Sequence, residues 1–205
     1  MSKYAAYHNI DNVKQCVRSN GASGALEDIK AVPYAINLSL SPDIQEQAAY
    51  RDGRKVVARY SDNGYTGSMG FGSIDTNLEL AAGTVMASAV GFAKTSNRGL
   101  SRFDIYYEYT GSNEDGNDKV VKNWILNVSL GSPEENTETD TESIQFGEYV
   151  YPVTVFGDTA KTVGGNDFID ANGFKTVVTR IFCDPDDEGY ATFGESVPEP
   201  IVKTG

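Results

Sequence analysis

The stretch Phe103-Asp104-Ile105-Tyr106-Tyr107-Glu108-Tyr109 constrains this chain more than any other. Phe103, Ile105, Tyr107 and Tyr109 occupy every second position, with Asp104, Tyr106 and Glu108 between them. Side chains of an extended chain point alternately to the two faces of a sheet, so this spacing predicts a strand with one apolar face. The same period recurs elsewhere. Ile36, Leu38 and Leu40 alternate with polar residues in Val32 to Ser41. Tyr65, Met69 and Phe71 share one face of 65–74, opposite Thr66, Ser68, Gly70 and Gly72. Trp124, Leu126, Val128 and Leu130 are expected to share one buried face. Further strands are expected from Ile144 to Phe156, where Pro152 predicts an edge or a bulge, and from Phe174 to Cys183. Asp52-Gly53 predicts a hairpin over 47–60, and Asn63-Gly64 a second turn of the same chemistry.

Between these strands the period changes once. Leu78, Ala81, Ala82, Val85, Met86, Ala89 and Val90 recur at helical spacing. Thr76 and Glu79 suit a capping box and Gly91 a C-cap, which predicts a helix over 77–90. The abundance of Tyr (12), Phe (9) and Gly (21) fits sheets joined by tight turns. The expected fold is mainly β: a sandwich or barrel of about seven to eight mostly antiparallel strands with one flanking helix. Residues 1–31 read as an N-terminal arm and loop, 32–183 as the β domain, and 184–205 as a C-terminal arm carrying Pro198 and Pro200.

The chemistry is mostly negative evidence. His8 is the one histidine, so no Ser-His-Asp or Cys-His constellation can be assembled with assurance, and no phosphate loop, zinc-protease or nucleophile-elbow motif occurs. The chain is therefore expected to be no enzyme and to need no cofactor. Cys16 and Cys183 make no disulfide framework and read as reduced thiols of a cytoplasmic product. No stretch reaches the roughly 18 apolar residues of a membrane span. Asp184, Asp186, Glu188, Gly189 and Glu195 fall at the first, third, fifth, sixth and twelfth positions of a calcium loop. Glu188 departs from the usual Asp or Asn, and the flanking helices are missing. The plainer expectation is an acidic turn leaving a strand.

Charge is distributed unevenly. The chain carries 17 basic and 29 acidic residues, a net charge of −12. Phosphate-backbone binding requires Lys and Arg to replace counterions, so a DNA-binding role is disfavoured, whereas an acidic wall would repel a duplex passing beside it. Eight of the basic residues lie in the first sixty positions. Arg51, Arg54, Lys55 and Arg59 cluster in the 47–60 hairpin, flanked by Tyr50 and Tyr60. A solvated hairpin is the bland reading. The sharper one is an interface in which these six residues meet an acidic surface of a neighbouring copy, such as 134–142.

In order along the chain, five segments carry a resemblance. They are Ile36-Asn37-Leu38-Ser39-Leu40-Ser41-Pro42; Ala49-Tyr50-Arg51-Asp52-Gly53; Asp62-Asn63-Gly64-Tyr65-Thr66-Gly67; the Phe103–Tyr109 strand; and Leu126-Asn127-Val128-Ser129-Leu130, followed by an acidic linker from Pro133 to Ser143. Across residues 33–160 the chain resembles the major tail proteins, or tail tube proteins, of phages with long non-contractile tails. The resemblance implies a β-sandwich with a flanking helix and a virion protein assembled in the host cytoplasm. It further implies six copies joined in a ring, and rings stacked around a tape measure protein into a conduit through which DNA later passes. Tail terminator and distal tail proteins are implied partners, and the early hairpin and the arms are implied ring-to-ring contacts. Six copies would carry roughly −70 formal charges. The alternatives at this stage are a carbohydrate- or calcium-binding β-sandwich of a virion, or a terminator or adaptor protein that stops at one ring.

Overall fold

The computed structural model describes Tyr4 and residues 6–19, 25–52, 54–96, 101–134 and 148–202. In chain order the elements are β1 (Ala6–Arg18), β2 (Leu26–Ala31), β3 (Ala35–Arg51), β4 (Arg54–Phe71), α1 (Thr76–Ala82), β5 (Val85–Ser88), β6 (Gly91–Lys94), β7 (Arg102–Ser112), β8 (Asp118–Leu130), β9 (Tyr149–Val155), β10 (Asp158–Thr159), β11 (Val177–Val178) and β12 (Arg180–Cys183). The fold is mainly β, with one short helix among the described residues.

Eight strands form one antiparallel sheet in the order β2-β1-β7-β8-β9-β4-β3, with β12 added beside β8. β2 and β3 stand at opposite ends of this order but only three residues separate them in the chain. Val32 N–H still donates to Val13 O at 2.8 Å, on the β1 side, while Tyr34 O accepts from Gly72 N–H at 2.8 Å, at the end of β4. The link Val32-Pro33-Tyr34, with Tyr34 at φ 63°, switches the chain from one end of the sheet to the other. The sheet therefore wraps round into a barrel-like layer.

The inner face encloses the main core. Val13, Met69, Phe71, Phe103, Ile105, Tyr107, Ile125, Val128, Leu130, Tyr151, Val153 and Val155 pack there, and α1 contributes Leu78 and Ala82. A second core lies on the opposite face of β1, β7 and β8. Cys16, Tyr106, Trp124 and Leu126 are buried there beneath Val178, Ile181, Phe193 and Val197. Strand β7 thus buries both faces, its odd positions inward and Tyr106 outward.

Several expectations are corrected. The helix ends at Ala82 instead of Val90: Gly83 takes the left-handed C-cap conformation at φ 77°, and Asp75, not Thr76, accepts from Leu78 N–H as N-cap. Val85 onward then pairs as the β5–β6 hairpin, so the helical spacing of Val85, Met86 and Val90 is coincidental. Asn63-Gly64 is no turn. It lies inside β4, where the pairing with β3 slips between Pro42 and Ile44, and Gly64 at φ 96° occupies a bulge. Trp124 and Leu126 do not share a face with Val128 and Leu130. One extra residue in β8, with Asn127 at φ 54°, resets the alternation, so the first two face the outer core and the last two the inner. β9 is not an edge strand but pairs with both β4 and β8. Pro152 is tolerated because its C=O accepts from Gly131 N–H beyond the end of β8, the side to which its missing N–H would also point.

The two expected arms also differ. Ala6–Arg18 is an interior strand between β2 and β7. Residues 184–202 lie on the outer core: Trp124 Nε1 donates to Phe193 O at 2.8 Å, Lys122 Nζ to Tyr190 O at 2.8 Å, and Tyr190 OH to Val120 O at 2.8 Å. The last expected strand is broken at Thr179, whose carbonyl accepts from Leu126 N–H at the β8 bulge.

Candidate assembly surface

The β3–β4 hairpin divides at Gly64. From Tyr65 to Phe71, β4 pairs with β9 as well as with β3. From Ile44 to Asp62 the two strands pair only with each other, as far as Arg51 opposite Arg54. At about 3.3 Å per residue the eight positions from Ile44 to Arg51 span roughly 25 Å. This two-stranded ribbon has no third strand on either edge among the described residues. Ile44 and Val56, 57% and 59% exposed, lie on it without cover from the barrel. A two-stranded hairpin is marginally stable in water by itself.

The structure places Arg51, Arg54 and Lys55 together at the ribbon's end, all exposed. Lys55 forms an ion pair with Glu46 across the ribbon. Tyr50, Arg59 and Tyr60 belong to the ribbon by their backbone pairing, opposite Lys55, Gln47 and Glu46 respectively; their side chains lie outside the described residues. The acidic stretch 135–142 lies outside them as well, and Glu134 bridges to Val150 beside β9.

Two further exposed apolar groups project from the barrel. The β5–β6 hairpin carries Met86 and Phe92, with Val90 fully open at its turn, and the segment after β10 carries Val163, Ile169 and Phe174. The second is held by ion pairs of Asp167 with Lys161 (2.5 Å) and Lys175 (2.7 Å). Their hydrogen bonds hold the Asp167 carboxyl down at about 2.

The calcium-loop positions do not converge. Among the described residues no group of three or more His, Cys, Asp or Glu could hold a metal ion. Asp184 accepts from Tyr4 OH at 3.0 Å, and both oxygens of Asp186 accept from Lys119 at 3.0 Å. The stretch is an acidic turn in which Asp184 is tied to Tyr4 and Asp186 to Lys119 of β8. His8 is exposed, with Nε2 2.9 Å from Ser112 Oγ. Cys16 and Cys183 are both free and buried, and burial, with Asp104 nearby, pushes the Cys16 thiol up to about 11.

Sequence reasoning missed one cluster entirely. Arg18, 7% exposed, donates from Nε to Asp104 Oδ2 at 2.9 Å and from Nη1 to Asp158 Oδ1 at 2.7 Å. Asp104 is fully buried and also accepts from Asn127 N–H at 2.8 Å. Burial by itself would lower the Arg18 pKa, but the hydrogen bonds to Asp158 and Asp104 outweigh it and hold the guanidinium above its usual range. The three residues lie 86 and 54 positions apart in sequence, so no local spacing marks them. The one available signal was Asp104, an acid set between Phe103 and Ile105 in a strand rich in aromatics.

No protein-family model matches this chain, and no curated protein matches it. Among the described residues no helix is long and apolar enough to cross a membrane.

Proposed function

We propose that this chain is a tail tube protein of a long-tailed phage, a structural component that assembles through its own surfaces into stacked rings. The observation that carries this reading is the β3–β4 ribbon. A protein that folds for itself alone gains little by extending two strands roughly 25 Å beyond its core. The ribbon is accounted for if a neighbouring copy covers Ile44 and Val56 and meets the cations of Arg51, Arg54 and Lys55. An acidic chain supplies complementary surface to those cations in every copy, and head-to-tail contacts of this kind close into rings or propagate into tubes. The ordered resemblance across residues 33–160 supports the same reading, as does the β-rich barrel that carries the ribbon. In this role the net charge of −12 per copy makes the wall of the conduit repel the DNA that passes it. Tape measure, tail terminator and distal tail proteins are the partners this role requires.

The test is negative-stain electron microscopy of the concentrated protein, with its mass in solution measured alongside. Tubes, or rings with a central hole, are the expected result. The triple reversal R51E/R54E/K55E should retain the melting temperature and lose stacking. A wild-type protein that stays monomeric at every concentration, with or without a tape measure protein, sinks the reading.

A further inference from the structure

The barrel is closed on one side of its seam and open on the other. It is closed where Val32 N–H meets Val13 O. Beyond that point β1 and β3 part, and a cavity of about 530 Å³ lies between Tyr7–Ile10 of β1 and Ala35–Leu38 of β3, with Tyr107, Tyr109 and Arg180 completing its lining. Two irregularities divert β1 here: its register against β7 shifts between His8 and Ile10 and again between Asp11 and Lys14, with Asn9 at φ 59° and Asn12 at φ 50°.

Both walls of this opening are strand edges. β1 pairs with β2 only from Lys14 onward, and β3 pairs with β4 alone. Among the described residues no strand takes the second edge of His8–Ile10 or of Ile36–Leu38. Such edges present main-chain N–H and C=O groups at strand spacing and template an added strand. The opening is about four residues, or roughly 13 Å, long. Its volume lies in the range of ligand-binding clefts. Arg180 is the one permanent charge among the lining residues. It lies beside the Tyr107 hydroxyl, and among the described residues no carboxylate pairs with it; a carboxylate is the partner a planar guanidinium binds best.

We propose that this seam binds an extended peptide strand of a partner protein, which pairs with the open edges, packs apolar side chains on Tyr107 and Tyr109, and presents a carboxylate to Arg180. The proposal is independent of tube assembly. It assigns a second, separate interaction surface on the opposite stretch of β3 from the ribbon.

The probe is the peptide acetyl-TVEVTS-amide, titrated into the whole protein by calorimetry, with hydrogen exchange read at the amides of His8, Ile10, Ile36 and Leu38. Binding with protection of these amides is expected. The peptide with Gln in place of Glu should bind about tenfold more weakly, the value of one charge-assisted hydrogen bond. R180Q should erase that difference between the two peptides while leaving the Gln peptide's affinity unchanged. A peptide carrying N-methyl groups on alternate residues should not bind. The proposal is overturned if the N-methylated peptide binds equally well, if R180Q leaves the Glu-to-Gln ratio intact, or if no peptide binds. Protection that develops on concentrating the protein without peptide would overturn it in favour of a second copy as occupant.

Discussion

The two ends of the β3–β4 hairpin share their strands and the ladder between them, yet they live in different environments. Below the Gly64 bulge, Leu38 and Leu40 pack against the core, and Met69 and Phe71 are within it. Above it, Ile44 and Val56 face solvent. The β3–β4 ladder runs through both halves and the lower half adds the β4–β9 ladder, but ladder hydrogen bonds by themselves contribute little to the difference. Each such bond exchanges for one to water at a net gain of only about 0.5–1.5 kcal/mol, whereas ordering one residue costs about 1–2 kcal/mol. The lower half is stable because its side chains leave water. The side chains of Ile44 and Val56 in the upper half have no such cover among the described residues.

That contrast can be broken most severely from the body of the barrel. Arg18→Ala removes the cation shared by Asp104 and Asp158 and leaves a fully buried carboxylate without its partner. Breaking a buried pair from one side costs about 3–5 kcal/mol, so the melting temperature should fall by more than for any ribbon substitution. Thermal unfolding followed by circular dichroism measures this, and an unchanged midpoint would show that the pair contributes nothing.

Gly64 sits at the boundary itself. Its φ of 96° disfavours any side chain, and a Cβ there would lie 2.1 Å from the Val155 carbonyl oxygen. Gly64→Ala should cost about 1–3 kcal/mol and disturb the junction of β4 with β9. Faster hydrogen exchange at Tyr65 and Thr66 than at Tyr151 would localise the damage to the junction. Uniform acceleration would mean that ribbon and barrel form one cooperative unit.

Glu79 gives a smaller, pH-dependent effect inside the body. Its side chain is buried on α1, one carboxyl oxygen has no hydrogen-bond partner, and burial raises its pKa, opposed by Lys94. Tyr151 from β9 and Asp75 from the helix cap also face this region. A carboxyl whose folded pKa is raised binds its proton more tightly folded than unfolded. Its contribution is therefore present below the ordinary carboxylate value and is lost as pH rises through the raised value. Glu79→Gln should flatten the decline of the melting temperature over that window. An unchanged pH profile would place the sensitivity elsewhere.

These positions also mark what could be read from the chain alone. The alternation at 103–109 located β7 correctly because period two is a local property, and Asp52-Gly53 located the hairpin end for the same reason. What sequence obscured was every place where one residue shifts the count. The Asn127 bulge turned a run of four apolar residues into two faces, the Gly64 bulge looked like a turn, and Gly83 ended a helix whose apolar spacing continued. The second core was hidden for another reason. A proline-bearing acidic tail reads as an arm until the exposed faces of Tyr106 and Trp124 are known to need cover. Of the candidate assembly surface, the basic residues at the tip were legible, while the length of the ribbon was not, because it depends on where β9 stops pairing.

The weakest effect on stability should accompany the sharpest effect on association. Ile44→Thr with Val56→Thr removes apolar surface that is already more than half exposed, so the folded chain loses little; surface changes of this kind fall within about 0.5 kcal/mol. Threonine keeps the β-branch and so the strand preference of both positions. If a neighbouring copy covers these residues, however, each buried methyl(ene) contributes about 0.8 kcal/mol at the contact, and a ring or tube repeats that loss in every subunit. The double variant should therefore melt like wild type as a monomer yet require much higher concentration to form rings or tubes, as read by sedimentation velocity across a dilution series. If its association matches wild type, the ribbon's apolar positions face solvent in the assembly too, and the cations at its tip must carry the contact without them.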